Sequence, residues 1–233
     1  MATKRLKEIK PIEETADIWT LLSSDQAHYL QTNLQVISAK KNEVIYSDGE
    51  IPSHLFCLVS GKVKVYKQGI GGRNQIVRVI KPNELFGYRA MFAHEAYVTC
   101  ASAIEPCVIY AIPEDVIVSI IKNNAQLAFA FIQFLAVDLG ISDSRTVTLT
   151  QKHIRGRLAE SLLFLRDNYG VESDGITLSI YLSREDLASL SNMTTSNAIR
   201  TLSLFSNEGM IVVEGRKIKI VDVESLVKIS KFG

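Results

Sequence analysis

Apolar residues recur along this chain at three different spacings, and the changes of spacing mark its parts. The first forty residues read as helical, with Leu21, Leu22, Leu30, Leu34 and Ile37 as apolar positions and Ser24-Asp25 as a helix start. From Lys41 the pattern shortens. Glu43-Val44-Ile45-Tyr46, Leu55-Phe56-Cys57-Leu58-Val59, Lys62-Val63-Lys64-Val65-Tyr66, Gln75 to Ile80, Val98 to Ala103 and Cys107 to Ile112 are short and rich in β-branched and aromatic residues. Such runs predict strands. Asp48-Gly49, Ser60-Gly61, Gly69-Ile70-Gly71-Gly72 and Lys81-Pro82-Asn83 punctuate them as turns. An antiparallel roll or barrel over about residues 41–112 is the packing this predicts.

Pro113-Glu114-Asp115 then opens a helix, since proline suits a first turn where its missing N–H costs nothing. A longer helix follows Asn123-Asn124. In it Ala130, Phe134, Val137, Ile141, Ser144 and Thr148 alternate steps of four and three, the seam spacing of a helix packed along another helix. Leu127, Phe131, Leu135 and Leu139 make it apolar on further faces. One face can cover the roll and another a second copy of the chain, although an interior helix of a monomer would share the pattern. Gly140 and the threonines of 146–150 predict a break just before Gln151.

Beyond the break lies a different unit. Ile154, Leu158, Ser161, Leu162 and Leu165 mark a helix ending near Tyr169-Gly170. Ile176 to Ile180 alternates like a strand. Met210 to Val213 and Lys217 to Ile220 flank Glu214-Gly215 as a hairpin. Between them, residues 183–202 read SREDLASLSNMTTSNAIRTL. Ser183 with Asp186 predicts a helix starting at Arg184, and Leu187, Ala188 and Leu190 give it a buried side. Asn192 suits a sharp turn, because asparagine tolerates the left-handed conformation. Thr194 can cap a second helix that carries Ala198, Ile199, Leu202 and Phe205 inward, leaving Thr195, Ser196, Asn197 and Arg200 outward.

Two packed helices with a polar exterior would satisfy this pattern. So would a DNA reader: no carboxylate lies between Asp186 and Glu208, arginine can pair bidentately with guanine, asparagine with adenine, and hydroxyls can take phosphates. The hairpin adds Arg216, Lys217 and Lys219, placed to meet the backbone of the same duplex, and this favours the reader.

Composition narrows the setting. Of 233 residues 47% are hydrophobic, enough for real cores, and the formal charge of +1 gives no global pull toward nucleic acid or anionic membrane. Any DNA contact must come from a local surface. Cys57, Cys100 and Cys107 are too few and too far apart for a disulfide framework or a four-thiolate site. The basic start, Met1 to Lys7, leads to Glu13 and Glu14 rather than an apolar signal core. The most apolar stretch, Ile117 to Ile141, is interrupted by Lys122, Asn123, Asn124, Gln126, Gln133 and Asp138, short of the roughly 18 unbroken apolar residues of a spanning helix. The expectation is a soluble cytoplasmic protein with no membrane partner, no metal site and no catalytic residues. No nucleophile elbow or paired metal-ligand pattern occurs, and Gly69 to Arg73 lies between strands where a phosphate loop would precede a helix.

The order of parts, and Tyr46-Ser47-Asp48-Gly49-Glu50, Ser60-Gly61-Lys62-Val63-Lys64-Val65-Tyr66, Gly72-Arg73-Asn74-Gln75, Pro82-Asn83-Glu84-Leu85-Phe86-Gly87, Leu182-Ser183-Arg184-Glu185-Asp186-Leu187-Ala188 and Ala198-Ile199-Arg200-Thr201-Leu202, resemble the Crp/Fnr family of bacterial transcription regulators over nearly the whole chain. The resemblance implies an α+β protein: an N-terminal antiparallel β-roll of the double-stranded β-helix or jelly-roll type, a long dimerisation helix, and a C-terminal winged helix-turn-helix. The corresponding divisions are 1–122 for the sensor roll, 123–151 for the helix and hinge, and 152–233 for the DNA-binding domain. It implies a homodimer, with Leu127, Ala130, Phe131, Phe134, Val137 and Ile141 on the dimer helix, reading a palindromic operator in double-stranded DNA. Ser183, Arg184, Thr194, Thr195, Ser196, Asn197, Arg200, Arg216, Lys217 and Lys219 are then the DNA-facing set, and RNA polymerase is a further candidate partner.

Departures from the family pattern bear on the effector. Members that bind cyclic AMP follow the Phe-Gly pair with Glu and later carry Arg-Ser or Arg-Thr for the cyclic phosphate. Here Tyr88 follows Phe86-Gly87, and the Arg-Ser position falls near Tyr97-Val98, so the phosphate lacks its counter-charge. The effector pocket expected from Phe86, Gly87, Tyr88, Arg89, Tyr97 and Val98 is therefore not one for cyclic AMP, with Arg89 as a substitute cation or a surface partner. The iron–sulfur branch uses four cysteines mostly near the N-terminus, and none precedes Cys57 here. His28, His54, His94 and His153 keep haem among the candidate cofactors. Thr195-Ser196 replace the family's usual Arg-Glu, which shifts reading toward DNA shape and phosphates. A small-molecule-binding or protein-interaction module that never meets an operator is the alternative.

Overall fold

A computed structural model describes residues 10–69 and 72–232, so the basic start and the centre of the expected turn at 69–72 lie outside the described residues. Two compact units emerge: the residues up to Lys67 with Arg78–Ala136, and Gln68–Val77 with the chain from Val137 onward.

The first unit opens with two short 3-10 turns, Ile12–Glu14 and Asp17–Leu21, and helix α1, Ser24–Asn33. Helix α1 starts at Ser24 as expected, with Ser23 as its cap. The Ser23 hydroxyl accepts from the Gln26 backbone while the Gln26 side chain accepts from the Ser23 N–H. The helical reading of 34–37 fails. Leu34 is already extended, and Gln35–Ala39 forms strand β1, where the adjacent β-branched pair Val36-Ile37 fits a pleated sheet better than a helix. Strands β2 (Val44–Tyr46), β3 (His54–Ser60), β4 (Val63–Gln68), β5 (Asn74–Ile80), β7 (Cys100–Ala103) and β8 (Cys107–Pro113) match the predicted runs. A two-residue strand β6, Leu85–Phe86, and a short helix α2, Tyr88–Ala93, add to the expected elements. The strands make two four-stranded sheets, in the orders β1-β8-β3-β6 and β2-β7-β4-β5, with antiparallel pairing such as Val36 opposite Tyr110 and Val65 opposite Ala101.

Helix α3, Glu114–Lys122, starts behind Pro113 as expected, and α4 runs Ala125–Gln151. One core joins Ile12, Trp19 and Leu30 to Leu55, Tyr110, Ile117, Leu127 and Phe131. This corrects two positions. Leu127 and Phe131, expected on the dimer face, are buried among the chain's own residues, with Phe131 edge-on to Trp19 at 6.4 Å and to Phe92 at 5.4 Å. Ala130 and Phe134 are half-buried, Phe134 against Tyr88. Val137 and Ile141 are more than half exposed, as are Phe129, Ile132, Leu139 and Val147. By length and composition α4 could cross a membrane, but Asp138, Asp143 and Arg145 interrupt it.

In the second unit α5, Ile154–Tyr169, ends at Gly170 as expected, but with φ +74° and ψ −169°, a glycine-only extended conformation and not the left-handed helical cap. Helix α6 spans Arg184–Leu190, α7 Thr195–Asn207 and α8 Val223–Phe232; strands β9, Ile211–Glu214, and β10, Lys217–Ile220, form the hairpin. Leu158, Leu162, Leu187, Leu202, Phe205, Ile220 and Leu226 are buried. The 176–180 run forms no ladder. Its peptides divide between neighbours, Glu172 donating to the Thr177 carbonyl while Leu178 donates to Ile218, so only isolated bridges result.

Segment Gln68–Val77 packs within this second unit. Ser189 Oγ donates to the Asn74 carbonyl at 2.6 Å and accepts from the Ile76 N–H at 2.9 Å. Arg145 donates to the carbonyls of Ile76, Val77 and Leu190 at 2.8, 3.1 and 3.1 Å.

Candidate nucleic-acid interface and effector pocket

Two helices that must cross closely need a short, forced turn, and 183–202 supplies one. Ser183 Oγ accepts from the Asp186 N–H at 3.0 Å and starts α6. Asn192 takes φ +49°, and Thr194 Oγ1 accepts from the Asn197 N–H at 3.2 Å to start α7. Ala188, between buried Leu187 and Leu190, has too little side chain to hold the helices apart. The arrangement is a helix-turn-helix.

On α7, Thr194, Thr195, Ser196 and Arg200 are exposed and Asn197 is half-buried, with its side-chain oxygen 3.3 Å from the Arg200 guanidinium. The face therefore offers hydroxyls, an amide and one cation, with no carboxylate among them. Ile199 departs from expectation. It is 49% exposed rather than inward, because the helix turns its buried side through Ala198, Thr201, Leu202 and Phe205. Arg184 does not project freely: one guanidinium nitrogen donates to the Gly215 carbonyl at 2.5 Å, and another is buried with no hydrogen-bond partner. Ser183 is engaged in its cap and in a 2.7 Å bond to Asp186.

The hairpin is less cationic than its sequence suggests. Lys217 Nζ lies 3.4 Å from Glu172 and over the Tyr181 ring, and Lys219 Nζ pairs with Glu214 at 2.8 Å. Arg216, at the exposed tip, has no such ion pair among the described residues. The basic hairpin expected to offer three cations thus offers one unencumbered. Behind α7, Arg155 grips Glu208 through two bonds of 2.7 and 2.6 Å and lies over the Phe205 ring, tying α5 to the end of α7.

The predicted effector residues divide. Phe86, Gly87 and Tyr97 are brought together inside the first unit, whereas Tyr88 packs apart from them on Phe134 and Arg78. Tyr46 stacks on Tyr97 at 3.8 Å and on Phe56 at 6.1 Å, and Phe56 on Phe86 at 5.1 Å. Gly87 opens α2 at φ +83°, and a Cβ there would meet the Phe56 ring at 2.8 Å. Tyr88, where a ribose-accepting carboxylate would stand, is buried and bonded to Arg78, whose guanidinium also lies over its ring. Arg89 and Val98 face outward: Arg89 pairs with Glu95 at 3.2 Å, and Val98 is exposed with its carbonyl accepting from Lys67. Burial pushes the Tyr46 phenol up to about 12 and that of Tyr97 higher still. The Tyr97 hydroxyl is buried without a partner. Tyr46, Phe56 and Arg78 escaped the sequence reading, since aromatic residues at alternate strand positions look like ordinary core.

Among the described residues no cluster of three or more His, Cys, Asp or Glu could hold a metal ion. Cys57, Cys100 and Cys107 are free thiols, and burial raises the pKa of Cys57 and Cys107. Along the second half of α4 a groove of about 410 Å³ is lined by Val137, Ile141, Ser144, Arg145, Glu160 and Phe164.

Comparison with known proteins adds two domain matches. Residues 36–124 match the cyclic nucleotide-binding domain and residues 156–229 the Crp-like helix-turn-helix domain. The chain is 24% identical over 200 residues to a CRP-like cAMP-activated global transcriptional regulator of Mycobacterium tuberculosis, covering 85% of this chain and 89% of that protein. It is 24% identical over 196 residues to an anaerobic regulatory protein of Bacillus subtilis, covering 83% and 82%. The structure of FixK2 from Bradyrhizobium japonicum superposes with a TM-score of 0.76 at 22% identity, over 84% of this chain and 96% of that one.

Proposed function

The chain belongs to the Crp/Fnr family of DNA-binding transcription regulators, and on that premise we propose that two copies read a two-fold symmetric operator with the exposed first turns of α7. The observation that carries the reading is the face itself: Thr195, Ser196, Asn197 and Arg200 around a capped helix start, without a carboxylate to repel phosphate. Arg200 and Asn197 would contact base edges, Thr194, Thr195 and Ser196 phosphates or bases, and Arg216 the backbone. The exposed Val137 and Ile141 on α4 support homodimerisation, since a single-copy protein gains nothing by leaving such a stripe in water. We place the protein in the cytoplasm, and no catalytic step is part of this reading.

Incubating the purified protein with genomic fragments should enrich one palindromic site. Arg200→Ala should weaken that site by about 1–3 kcal/mol and relax base choice at one position per half-site. Arg216→Ala should weaken specific and random DNA alike. No enrichment at low or high salt would overturn the reading in favour of a module that binds no operator.

For the first unit we propose an effector other than cyclic AMP. The support is the aromatic cluster of Tyr46, Phe56, Phe86 and Tyr97 in the interior, together with Arg89 committed to Glu95. Calorimetric titration with cyclic AMP should give no heat, and mass spectrometry of the intact native protein would identify a retained ligand or haem. A saturable cyclic AMP isotherm would refute the proposal.

A further inference from the structure

Recognition helices are commonly described by their polar residues, but the reading face of α7 also holds an apolar one. At about 100° per residue, Thr195, Ile199, Ser203, Ser196 and Arg200 fall in that order within roughly 140° of arc. The buried residues Ala198, Thr201, Leu202 and Phe205 occupy the other side. Ile199 thus lies one turn beyond Thr195, beside Arg200 and among short side chains. Thr195, Ser196 and Ser203 reach little past their Cβ atoms, so Ile199 and Arg200 are the residues of this arc that project furthest. Half of the Ile199 surface is solvated. Ile199 also lines a hollow of about 300 Å³ together with Leu202, Val213 and Arg184, whose guanidinium is held by the Gly215 carbonyl.

Resting on the operator-reading function proposed above, we infer that Ile199 is a specificity-determining residue that packs its branched side chain against the C5-methyl group of a thymine next to the base pair read by Arg200. The chemistry fits one base. In the major groove thymine alone offers a methyl group, and an isoleucine cannot satisfy the hydrogen-bonding edges of guanine, adenine or cytosine. β-Branching favours the reading further, because Ile199 has few rotamers to lose on contact. A stacked wedge in the minor groove is disfavoured by the neighbouring hydroxyls, which suit phosphates flanking the major groove.

The test removes the methyl without changing the pairing. With the full-length protein and the operator obtained by fragment enrichment, each thymine of one half-site is replaced in turn by deoxyuridine. One replacement should weaken binding about fourfold, the value of one buried methyl group, and about sixteenfold when made in both half-sites. For Ile199→Ala the same replacement should change nothing, while Arg200→Ala should keep the thymine-to-uracil difference. Ile199→Ala should fold normally, since half of its surface is already in water. Tolerance of every deoxyuridine by the unmodified protein overturns the proposal, as does a methyl effect that survives Ile199→Ala. Loss of subunit association in Ile199→Ala with unchanged base choice makes the residue a protein contact and equally overturns it. If no operator is enriched at all, the failure belongs to the DNA-reading function and takes this inference with it.

Discussion

Replacing Arg145 with Met should loosen the second unit at one defined place. Three carbonyls, those of Ile76, Val77 and Leu190, receive the guanidinium at 2.8–3.1 Å, and burial lowers its pKa because only neutral dipoles answer its charge. Methionine keeps most of the volume and donates nothing. The Ile76 carbonyl keeps the Gln75 side-chain amide as a donor at 3.1 Å, while those of Val77 and Leu190 each lose one at a cost of about 1–1.5 kcal/mol, and removing a desolvated charge returns some of that. The net loss is about 2 kcal/mol, equivalent to roughly thirtyfold in an opening equilibrium. Hydrogen exchange monitored by NMR is the suitable assay, since the Ile76 N–H is held by Ser189 Oγ within the same contact. Its exchange should accelerate roughly thirtyfold in Arg145→Met, and Ser189→Ala should expose the same amide. Amides buried in α5, such as that of Leu162, should change far less. An unaltered Ile76 rate in Arg145→Met would show that the three bonds contribute nothing net, and the reasoning would fail.

Gly87→Ala should lower the melting temperature by the equivalent of about 1–3 kcal/mol, combining a left-handed backbone with a Cβ 2.8 Å from the packed Phe56 ring; an unchanged melt would refute this. Tyr46 has a folded pKa of about 12 against 10 for a free phenol, so its contribution is complete below pH 10 and lost as the pH rises through 12. Stability measured across that window should fall less steeply in Tyr46→Phe, and parallel slopes would contradict the assignment. Ser183→Ala removes the cap of α6 and should cost about 1 kcal/mol in chemical denaturation, whereas Ser183→Asp should recover most of it.

Much of this architecture was legible because local signals and packing agree. Ser183, Asn192 and Thr194 each announce a cap or turn whose geometry the backbone adopts. The helical assignment of 34–37 fails because Leu34 continues the Leu30 spacing of α1 past Asn33, while the β-branched pair Val36-Ile37 behind it pairs with β8. Helix α8 is missing from the sequence reading although it carries a start signal, Asp222 accepting from the Ser225 N–H at 2.9 Å with Glu224 in the first turn. Ile199 reads as inward by a single step of helical phase, since an isoleucine beside Ala198 looks like core until the neighbouring buried residues are fixed in space. Side-chain commitments were the least readable. Nothing in the spacing reveals that Arg184 reaches Gly215, that Lys217 reaches Glu172 over 45 residues of chain, or that Leu127 and Phe131 are consumed by the core.

The paired lysines of the hairpin have a kinetic consequence. Glu172 and Glu214 occupy the cations that would otherwise grip any duplex, and each pair must open before its lysine can neutralise a phosphate. Random sequence, which offers no base contact in return, is then held less tightly and released sooner, while base contacts at a true site offset the cost of opening the pairs. The two glutamates would act as a brake on idle residence, shortening each stop during the search along a chromosome. Glu172→Gln with Glu214→Gln should find its target more slowly because it clings to everything else.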